Sequence, residues 1–220
     1  MELEQALSKR FSTRQFLAKP VPRADIERIL ELAQKSASWC NTQPWQLTIV
    51  SGEPLERFRA ALFEKASSGA TPDPDFEFPA RYVGEAQKRR VRCAVQLYGA
   101  LGITREDRAA AQRQALENFR LFGAPHVALV TTDENLGFWG GVDVGIYLGA
   151  FTLAAQSVGV DTILQAALAN YPGLVREHFG IPEGRRMVCG ISFGYADHAH
   201  PVNSFRTERA AIGEVARWVG

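Results

Sequence analysis

The stretch Ser38-Trp39-Cys40-Asn41-Thr42-Gln43-Pro44-Trp45 is the most distinctive part of this chain. It supplies amides, hydroxyls and two indoles, groups that suit a flat heterocycle with hydrogen-bonding edges. Earlier in the chain stands Arg10-Phe11-Ser12-Thr13-Arg14, which clusters two permanent cations with a hydroxyl. Guanidinium groups pair with phosphate oxygens bidentately, so this segment suits an anionic ligand such as a phosphate. Together the two segments predict a phosphorylated aromatic cofactor that is held at both ends.

Arg10, Ser12 and Arg14 alternate along the earlier segment. In an extended backbone, alternate side chains point to the same side, so these three would face one ligand. The same pattern is equally typical of an edge segment whose arginines are solvated.

Length and composition are typical of one globular domain. With 220 residues, the chain is long enough to bury a substantial core, and no internal repeat or low-complexity linker divides it. We therefore expect a single domain over residues 1–220. The 25 basic and 24 acidic side chains leave a formal net charge of +1, which gives no field for gathering nucleic acid or an anionic membrane surface. Neither is expected as a partner.

Cysteine and histidine usage argues against structural cross-links and metals. Cys40, Cys93 and Cys189 are odd in number and far apart, so neither a disulfide framework nor a thiolate zinc site is indicated. Only His198 and His200 lie close together, and no carboxylate-rich frame accompanies them, so no metal site is expected. A reducing cytoplasm fits this pattern, and the polar start of the chain lacks the apolar segment of a secretory signal.

Hydrophobic periodicity predicts helices that alternate with short strands. Helices are expected over 3–9, after Pro22, around Leu55–Leu62, and over 81–101 and 105–122; strands are expected over 47–50, 127–131, 160–164 and 187–193. The stretch Gly69–Pro79 contains three prolines and is long for a connection. It is expected to be a functional lid or plain surface irregularity.

One apolar stretch, Gly140–Val160, is nearly long enough to span a bilayer. Asp143 and Gln156 interrupt it and no charged flanks define an orientation, so it predicts a helix buried on nearly all sides within a soluble protein. Glycines with a spacing that allows close helix packing, in the core or along a subunit interface, occur at Gly141, Gly145 and Gly149.

The two opening motifs, in this order and at this distance, resemble those of the nitroreductase family of FMN-dependent oxidoreductases. Gly123-Ala124-Pro125 and the strand Gly190-Ile191-Ser192-Phe193-Gly194-Tyr195 also stand in family order, so the resemblance extends to Arg206. It implies an α+β fold, with a mixed, mainly antiparallel sheet packed among helices. It also implies an intertwined homodimer with two FMN sites at the interface, in which the apolar tail ending near Trp218 wraps the partner.

The resemblance further implies which residues bind FMN. Arg206 would join Arg10 at the phosphate, where Phe11 and Ser12 also lie. Arg14 would stabilise the negative charge of the reduced flavin. A loop from the neighbouring subunit would border the ring through Ser38, Trp39, Cys40, Asn41 and Gln43.

Two more regions enter the site by resemblance. Gln165-Ala166-Ala167 stands where family members offer backbone N–H groups to the flavin. Other branches carry an acidic residue and glycine there, which leaves the role of the Gln165 side chain open. Asn118 is the expected contact to the pyrimidine or ribityl chain, with Glu117 and Arg120 as alternatives.

The implied activity is flavin chemistry. NADPH or NADH would supply hydride and bind only transiently over the flavin, because no nicotinamide-binding motif is present. A small aromatic substrate such as a nitroarene would then accept the hydride in ping-pong fashion, and no side chain need act as nucleophile, acid or base. Similar proteins include reductive dehalogenases and quinone or enone reductases. A non-catalytic flavin-binding protein, or an interaction protein without flavin, remains an alternative.

Overall fold

The structure is a computed structural model that describes residues 1–220. Its helices and strands follow one another as α1 (Leu3–Lys9), β1 (Phe16–Leu17), α2 (Arg23–Ala33), β2 (Gln46–Ser51), α3 (Gly52–Ser67), α4 (Gly84–Ala100), α5 (Arg108–Leu116), β3 (His126–Asp133), α6 (Gly137–Ser157), β4 (Asp161–Gln165), α7 (Pro172–Phe179), β5 (Arg185–Ala196) and α8 (Ile212–Val215). Single 3-10 turns occupy Trp39–Asn41, Glu117–Gly123, Glu134–Leu136, Ala166–Asn170 and Pro201–Asn203. The predicted strands are confirmed within a few residues, and the two-residue strand β1 is added to them.

The five strands form one sheet around β5. Strand β3 pairs antiparallel with β5 along one edge and with β2 on its other side. The opposite edge of β5 is shared by β4 and β1, both antiparallel. A single parallel bridge joins Ser12 to Thr162 of β4. The expected mixed, mainly antiparallel sheet is confirmed.

Side chains of β3 build a core on each face of this sheet, because successive residues of a strand point to opposite sides. Val127 and Leu129 pack in a cluster with α3 and α7, whereas Ala128 and Val130 pack in a second cluster with α2 and α6. All four are fully buried. The central strands are thus held in place by packing on both faces of the sheet. Segments that contain candidate site residues lie at the edges of these strands.

Gly190 of β5 allows the turn after β4 to lie close to the sheet. A Cβ atom at this position would overlap the side chain of Leu168, which would have to move. Leu168 is fully buried, which anchors that turn in the core.

The helix predicted over 105–122 is shorter than expected. Helix α5 ends at Leu116, and the chain continues in a 3-10 segment in which Leu121 and Phe122 have φ angles of 58° and 52°. Both side chains are buried in the core. Their packing therefore overrides the helical pattern that the sequence shows.

The expectation that the apolar helix is buried on nearly all sides does not hold within a single chain. Helix α6 buries one face against α2 and the sheet, but Phe138, Trp139, Val142 and Ile146 are exposed on the other. A side chain at Gly141, Gly145 or Gly149 would meet no other atom within 4 Å. The helical segment Glu134–Ser157 is long and apolar enough to cross a membrane, and no other helix meets this criterion. Of the apolar stretch that meets it, 44% is buried inside the protein.

The Gly69–Pro79 stretch contains no helix or strand, as predicted. It is nevertheless anchored, because the carboxylate of Asp75 is buried between Arg176 and Arg186. Asp75 Oδ2 also accepts a hydrogen bond from the Met187 N–H at 2.7 Å. These contacts fix the middle of the stretch to the first residues of β5.

Candidate functional site

The segment Arg10–Arg14 runs along the edge of β4. The Thr13 N–H donates to the Thr162 carbonyl at 3.1 Å, and Thr13 is fully buried. The side chains of Arg10, Ser12 and Arg14 line a cavity of about 380 Å³. Phe11, which lies between Arg10 and Ser12 in the sequence, lines the same cavity, and Arg14 is half-buried.

The late arginine reaches the same cavity. The Arg206 guanidinium carbon lies 3.7 Å from the centre of the Phe11 ring, and both residues line the cavity. Asn203 is buried and joins the two segments: its Oδ1 accepts the Arg14 N–H at 2.8 Å, and its Nδ2 donates to the Gln15 carbonyl at 2.8 Å. The cavity is therefore built by both ends of the chain, as the resemblance implied for these residues.

This arginine cavity is strongly cationic. Arg10, Arg14, Arg206 and Arg209 line it, and no Asp or Glu does. Burial lowers the pKa of Arg14, and burial together with the charge of Arg209 lowers the pKa of Arg10. Arginine nevertheless remains protonated in proteins, so the cavity keeps uncompensated positive charge. Such a site suits a ligand that carries phosphate oxygens.

Arg14 lies where two cavities meet. Its Nη1 donates to the Ser12 carbonyl at 3.2 Å, and its guanidinium carbon is 5.4 Å from the centre of the Phe205 ring. Besides the arginine cavity it lines a neighbouring cavity of about 330 Å³, which also contains Glu117. The guanidinium is therefore held at a fixed place between the two cavities.

Gln165 ends β4 next to this region, but its side chain points into the protein. Its Oε1 accepts from the Ser192 hydroxyl at 2.5 Å, and its Nε2 donates to the Asn118 carbonyl at 2.8 Å. Only the backbone here is available to a ligand. The Ala166–Asn170 turn begins immediately afterwards, and the first N–H groups of a helical turn have no partner within it. Ala166 is exposed and Ala167 is half-buried.

Three residues are candidates for contact with the pyrimidine or ribityl chain, and Glu117, Asn118 and Arg120 have different surroundings. Asn118 donates from Nδ2 to the Ala115 carbonyl at 3.0 Å and supports Gln165. Arg120 lies over the Phe63 ring at 4.1 Å. Only Glu117 lines the cavity that contains Arg14. Asn118 contacts Gln165 mainly through its backbone carbonyl, and its side-chain Oδ1 accepts from Gln165 Nε2 at 3.4 Å.

The loop that begins at Ser38 has an unusual backbone. Cys40, Asn41 and Gln43 have φ angles of 51°, 56° and 46°, in the left-handed region that disfavours residues other than glycine. Each such residue costs on the order of 1–3 kcal/mol unless the surroundings impose it. Trp39, Cys40, Asn41 and Gln43 are all exposed. The loop therefore presents its side chains outward from a strained but defined backbone.

Several hydrogen bonds impose this backbone. Asp143 of α6 accepts the Trp39 N–H at 3.1 Å through Oδ1 and at 3.2 Å through Oδ2, and its Oδ2 accepts from the Thr42 hydroxyl at 3.4 Å. The Ser38 hydroxyl accepts the Gln43 N–H at 3.0 Å. The Trp39 ring also meets the Trp139 ring edge-to-face, with centroids 4.9 Å apart. Helix α6 thus positions the loop.

Within one chain the loop does not reach the arginine cavity. Trp39, Cys40 and Thr42 line a separate cavity of about 270 Å³ with Trp139 and Asp143. No residue from Ser38 to Gln43, including these two, lines either of the cavities that Arg14 lines. A single chain therefore brings together Arg10, Phe11, Ser12, Arg14 and Arg206, but leaves the loop apart from them.

The residues of these cavities that sequence reasoning missed include four with reactive, aromatic or charged side chains. Cys93, Phe205 and Arg209 line the arginine cavity, and Asp143 anchors the loop. Arg209 follows Arg206 by three residues, a spacing that suggests a second cation for the same ligand. Asp143 is the only charged residue of helix α6, which signals a specific partner for its carboxylate.

Comparison with known protein families gives one match over most of the chain. The model described as "Nitroreductase family" matches residues 7–195. Curated relatives include Nitroreductase NfnB of Mycolicibacterium smegmatis, 35% identical over 98% of this chain and 92% of the relative. They also include a 4-nitrobenzoate reductase of Pseudomonas putida, 31% identical over 100% of this chain and 96% of the relative.

Solved structures give the same result. The FMN-dependent nitroreductase NfnB from Mycobacterium smegmatis, in complex with NADPH, superposes with a TM-score of 0.93 at 34% identity and full coverage of both chains. The FMN and NADPH-dependent nitroreductase NfnB from Sphigopyxis sp. strain HMH superposes with a TM-score of 0.96 at 32% identity, again with full coverage of both chains. The fold is therefore shared from end to end.

Proposed function

The chain belongs to the nitroreductase family, and from this we propose that it is an FMN-dependent oxidoreductase that uses NADPH or NADH to reduce nitroaromatic or related electron-poor substrates. The relatives with similar chains are named for reactions on nitroaromatic compounds. The single observation on this chain that supports the proposal most strongly is the arginine cavity, which lacks any carboxylate.

The cavity fits the phosphate of FMN. Arg10 and Arg206 would bind the phosphate oxygens, and the Ser12 hydroxyl would add a hydrogen bond. Arg209 lines the same cavity and adds positive charge. Because the Phe11 ring already holds the Arg206 guanidinium in place, little side-chain freedom remains to be lost on binding.

Residues beyond the phosphate end would hold the flavin ring. Arg14 is our candidate for the cation that stabilises the reduced flavin, because its charge is half-buried and fixed by the Ser12 carbonyl. The backbone at Gln165, Ala166 and Ala167 would donate hydrogen bonds to the ring. Asn118 would support this backbone through Gln165.

When bound, FMN would supply the redox chemistry, which is hydride transfer through its N5 atom between the nicotinamide and the electron-poor substrate with ping-pong kinetics. The protein positions the reactants and provides the charge that favours hydride transfer. No catalytic acid, base or nucleophile is assigned among its side chains.

A homodimer would complete the site. The Ser38 loop lies apart from the arginine cavity of its own chain, so a second copy would have to bring Ser38, Trp39, Cys40, Asn41 and Gln43 to the ring. The open apolar face of α6 offers a contact surface for that copy. The tail is another, because Ile212, Val215 and Trp218 are largely exposed in one chain.

We also propose that the protein acts in the cytoplasm. All three cysteines are free, which fits the reducing conditions of the cytoplasm.

The test is spectroscopic. We expect the purified protein to be yellow, to lose the visible absorbance of oxidised flavin when NADPH is added without oxygen, and to recover it when 4-nitrobenzoate is then added. A colourless protein that gains no thermal stability from added FMN would refute flavin binding, since a ligand of the native state must stabilise it. Flavin that NADPH fails to reduce would indicate a non-catalytic binding protein. Reoxidation by quinones but not by nitroarenes would assign the protein to the quinone-reducing branch.

A further inference from the structure

Asp143 is a buried carboxylate with no cationic partner. Its residue is 5% exposed, and it takes part in none of the ion pairs of the protein. A buried charge is unfavourable unless hydrogen bonds stabilise it. Here those bonds come only from the loop, through the Trp39 N–H and the Thr42 hydroxyl.

These two contacts lie on either side of the left-handed pair Cys40 and Asn41. The carboxylate therefore clamps both ends of the segment whose backbone is least favourable. Glycine would adopt this backbone without strain, so a simple change of chain direction would not need the clamp. What the clamp fixes is the direction of the exposed side chains of Trp39, Cys40 and Asn41.

Helix α6 also sets the orientation of the indole. Trp139 stands one helical turn before Asp143 and packs edge-to-face against Trp39. The backbone of the loop and its largest side chain are thus both positioned from the same helix.

We propose that Asp143 is a positioning residue, which holds Trp39–Thr42 so that their exposed side chains meet the flavin ring bound by a second copy of the chain. This proposal rests on the proposed function. It assigns a role in flavin binding to a residue that need not touch the flavin.

The test uses the FMN-loaded enzyme with Asp143→Asn, which keeps the shape of the side chain but turns an acceptor oxygen into an N–H donor that opposes the Trp39 N–H. Asp133→Asn is the matched control, because Asp133 accepts the Asn135 N–H at 2.9 Å just before α6 and does not contact the loop. For Asp143→Asn we expect the FMN dissociation constant to rise about ten-fold, in line with the loss of one charged hydrogen bond. The emission of bound flavin should also rise, because a nearby indole quenches it. The melting temperature of the FMN-free protein should stay within a few degrees of the original.

Unchanged flavin affinity and emission in Asp143→Asn would overturn the proposal, whatever happens to the melting temperature. If that variant does not fold, Thr42→Val decides the question, because it removes only the hydroxyl contact. It must then raise both the dissociation constant and the emission by a smaller factor, and no change in either would overturn the proposal. An unsubstituted protein that binds no FMN would refute the proposed function itself, and that result is read before any variant is compared.

Discussion

The guanidinium of Arg206 stacks on the ring of Phe11, 3.7 Å from its centre, and so joins the two ends of the chain at one cavity. Its Nη1 donates to the carbonyls of Asn203 and Phe205, both at 2.8 Å. The ring and the carbonyls hold the charge in place before any ligand arrives. A preformed cation of this kind binds phosphate without losing much side-chain freedom.

Removing this cation should weaken FMN binding. Arg206→Gln deletes a charged hydrogen-bond donor, which is worth about 1.5–3 kcal/mol, so we expect the FMN dissociation constant to rise about ten- to one-hundred-fold. Titration of the FMN-free protein with FMN measures this. Arg28→Gln is the control, because Arg28 is exposed on α2 and pairs only with Glu31. Equal affinity in the two variants would contradict a phosphate contact at Arg206.

Arg14 should act on the redox potential of the flavin more than on its retention. Arg14→Gln removes a positive charge that favours the reduced, anionic flavin, so we expect a lower midpoint potential. A loss of about 1.4 kcal/mol corresponds to about 30 mV for a two-electron couple. A redox titration of the bound flavin measures the shift, and Arg14→Lys should retain most of the original value. A potential that is the same in both variants would place Arg14 away from the ring.

The parts of the site that could be predicted from sequence are those that depend on local geometry. The two-residue period of an extended segment predicted that Arg10, Ser12 and Arg14 face one side, and they line one cavity. The β-branched and apolar run at 127–131 likewise predicted a strand, and strand β3 lies there. Such relationships are determined by residues that are close together in the chain, so they can be predicted from a single sequence.

Contacts between residues that are far apart in the chain are harder to predict from the sequence. In the sequence, Asp143 is recognisable only as an interruption of an apolar segment, because its contact with Trp39 spans 104 positions. The sequence does not show what the Gln165 side chain contacts, whereas in the structure Ser192 and Asn118 take up its hydrogen bonds inside the protein. Helix α6 was expected to be buried all round, because a uniformly apolar sequence does not show which face lacks a neighbour.

His126 should make stability depend on pH. It is buried, its Nε2 accepts the Val21 N–H at 2.9 Å, and burial lowers its pKa. The unfolded chain therefore binds a proton more readily than the folded one, and stability falls as the pH drops below the ordinary histidine pKa of about 6.5. The slope from this one group is at most about 1.4 kcal/mol per pH unit. Denaturant unfolding at a series of pH values measures it, and in His126→Gln, which keeps an acceptor but does not titrate, the slope between pH 6.5 and 5 should be smaller.

Asp75 should contribute to stability without affecting the flavin. Its carboxylate lies 2.6 Å from Arg176 and 3.4 Å from Arg186, and the residue's side chain is 5% exposed. Asp75→Asn would leave Arg176 without its carboxylate partner and Arg186 with Glu134 alone, and breaking a buried ion pair costs about 3–5 kcal/mol. We expect a clear drop in the denaturant midpoint, with the FMN dissociation constant of the folded protein unchanged. Asp73→Asn is the control, because Asp73 is exposed and contributes its backbone N–H to the Asn170 carbonyl. A large loss of flavin affinity in Asp75→Asn would instead support a lid function for the Gly69–Pro79 stretch.

Ile146 tests whether the open face of α6 is a subunit contact. In one chain this side chain is exposed, so Ile146→Arg should not disturb the fold of the chain itself. In the proposed homodimer, the same substitution would place charges within an apolar contact, where a buried ion without a partner is strongly unfavourable. We expect a monomer in light scattering after size-exclusion chromatography, together with loss of bound FMN, because the Ser38 loop of the second copy would no longer reach the ring. Gln112→Arg on the exposed side of α5 should leave both the mass and the flavin content unchanged. A monomeric Ile146→Arg variant that keeps its FMN would show that one chain holds the cofactor without its neighbour's loop.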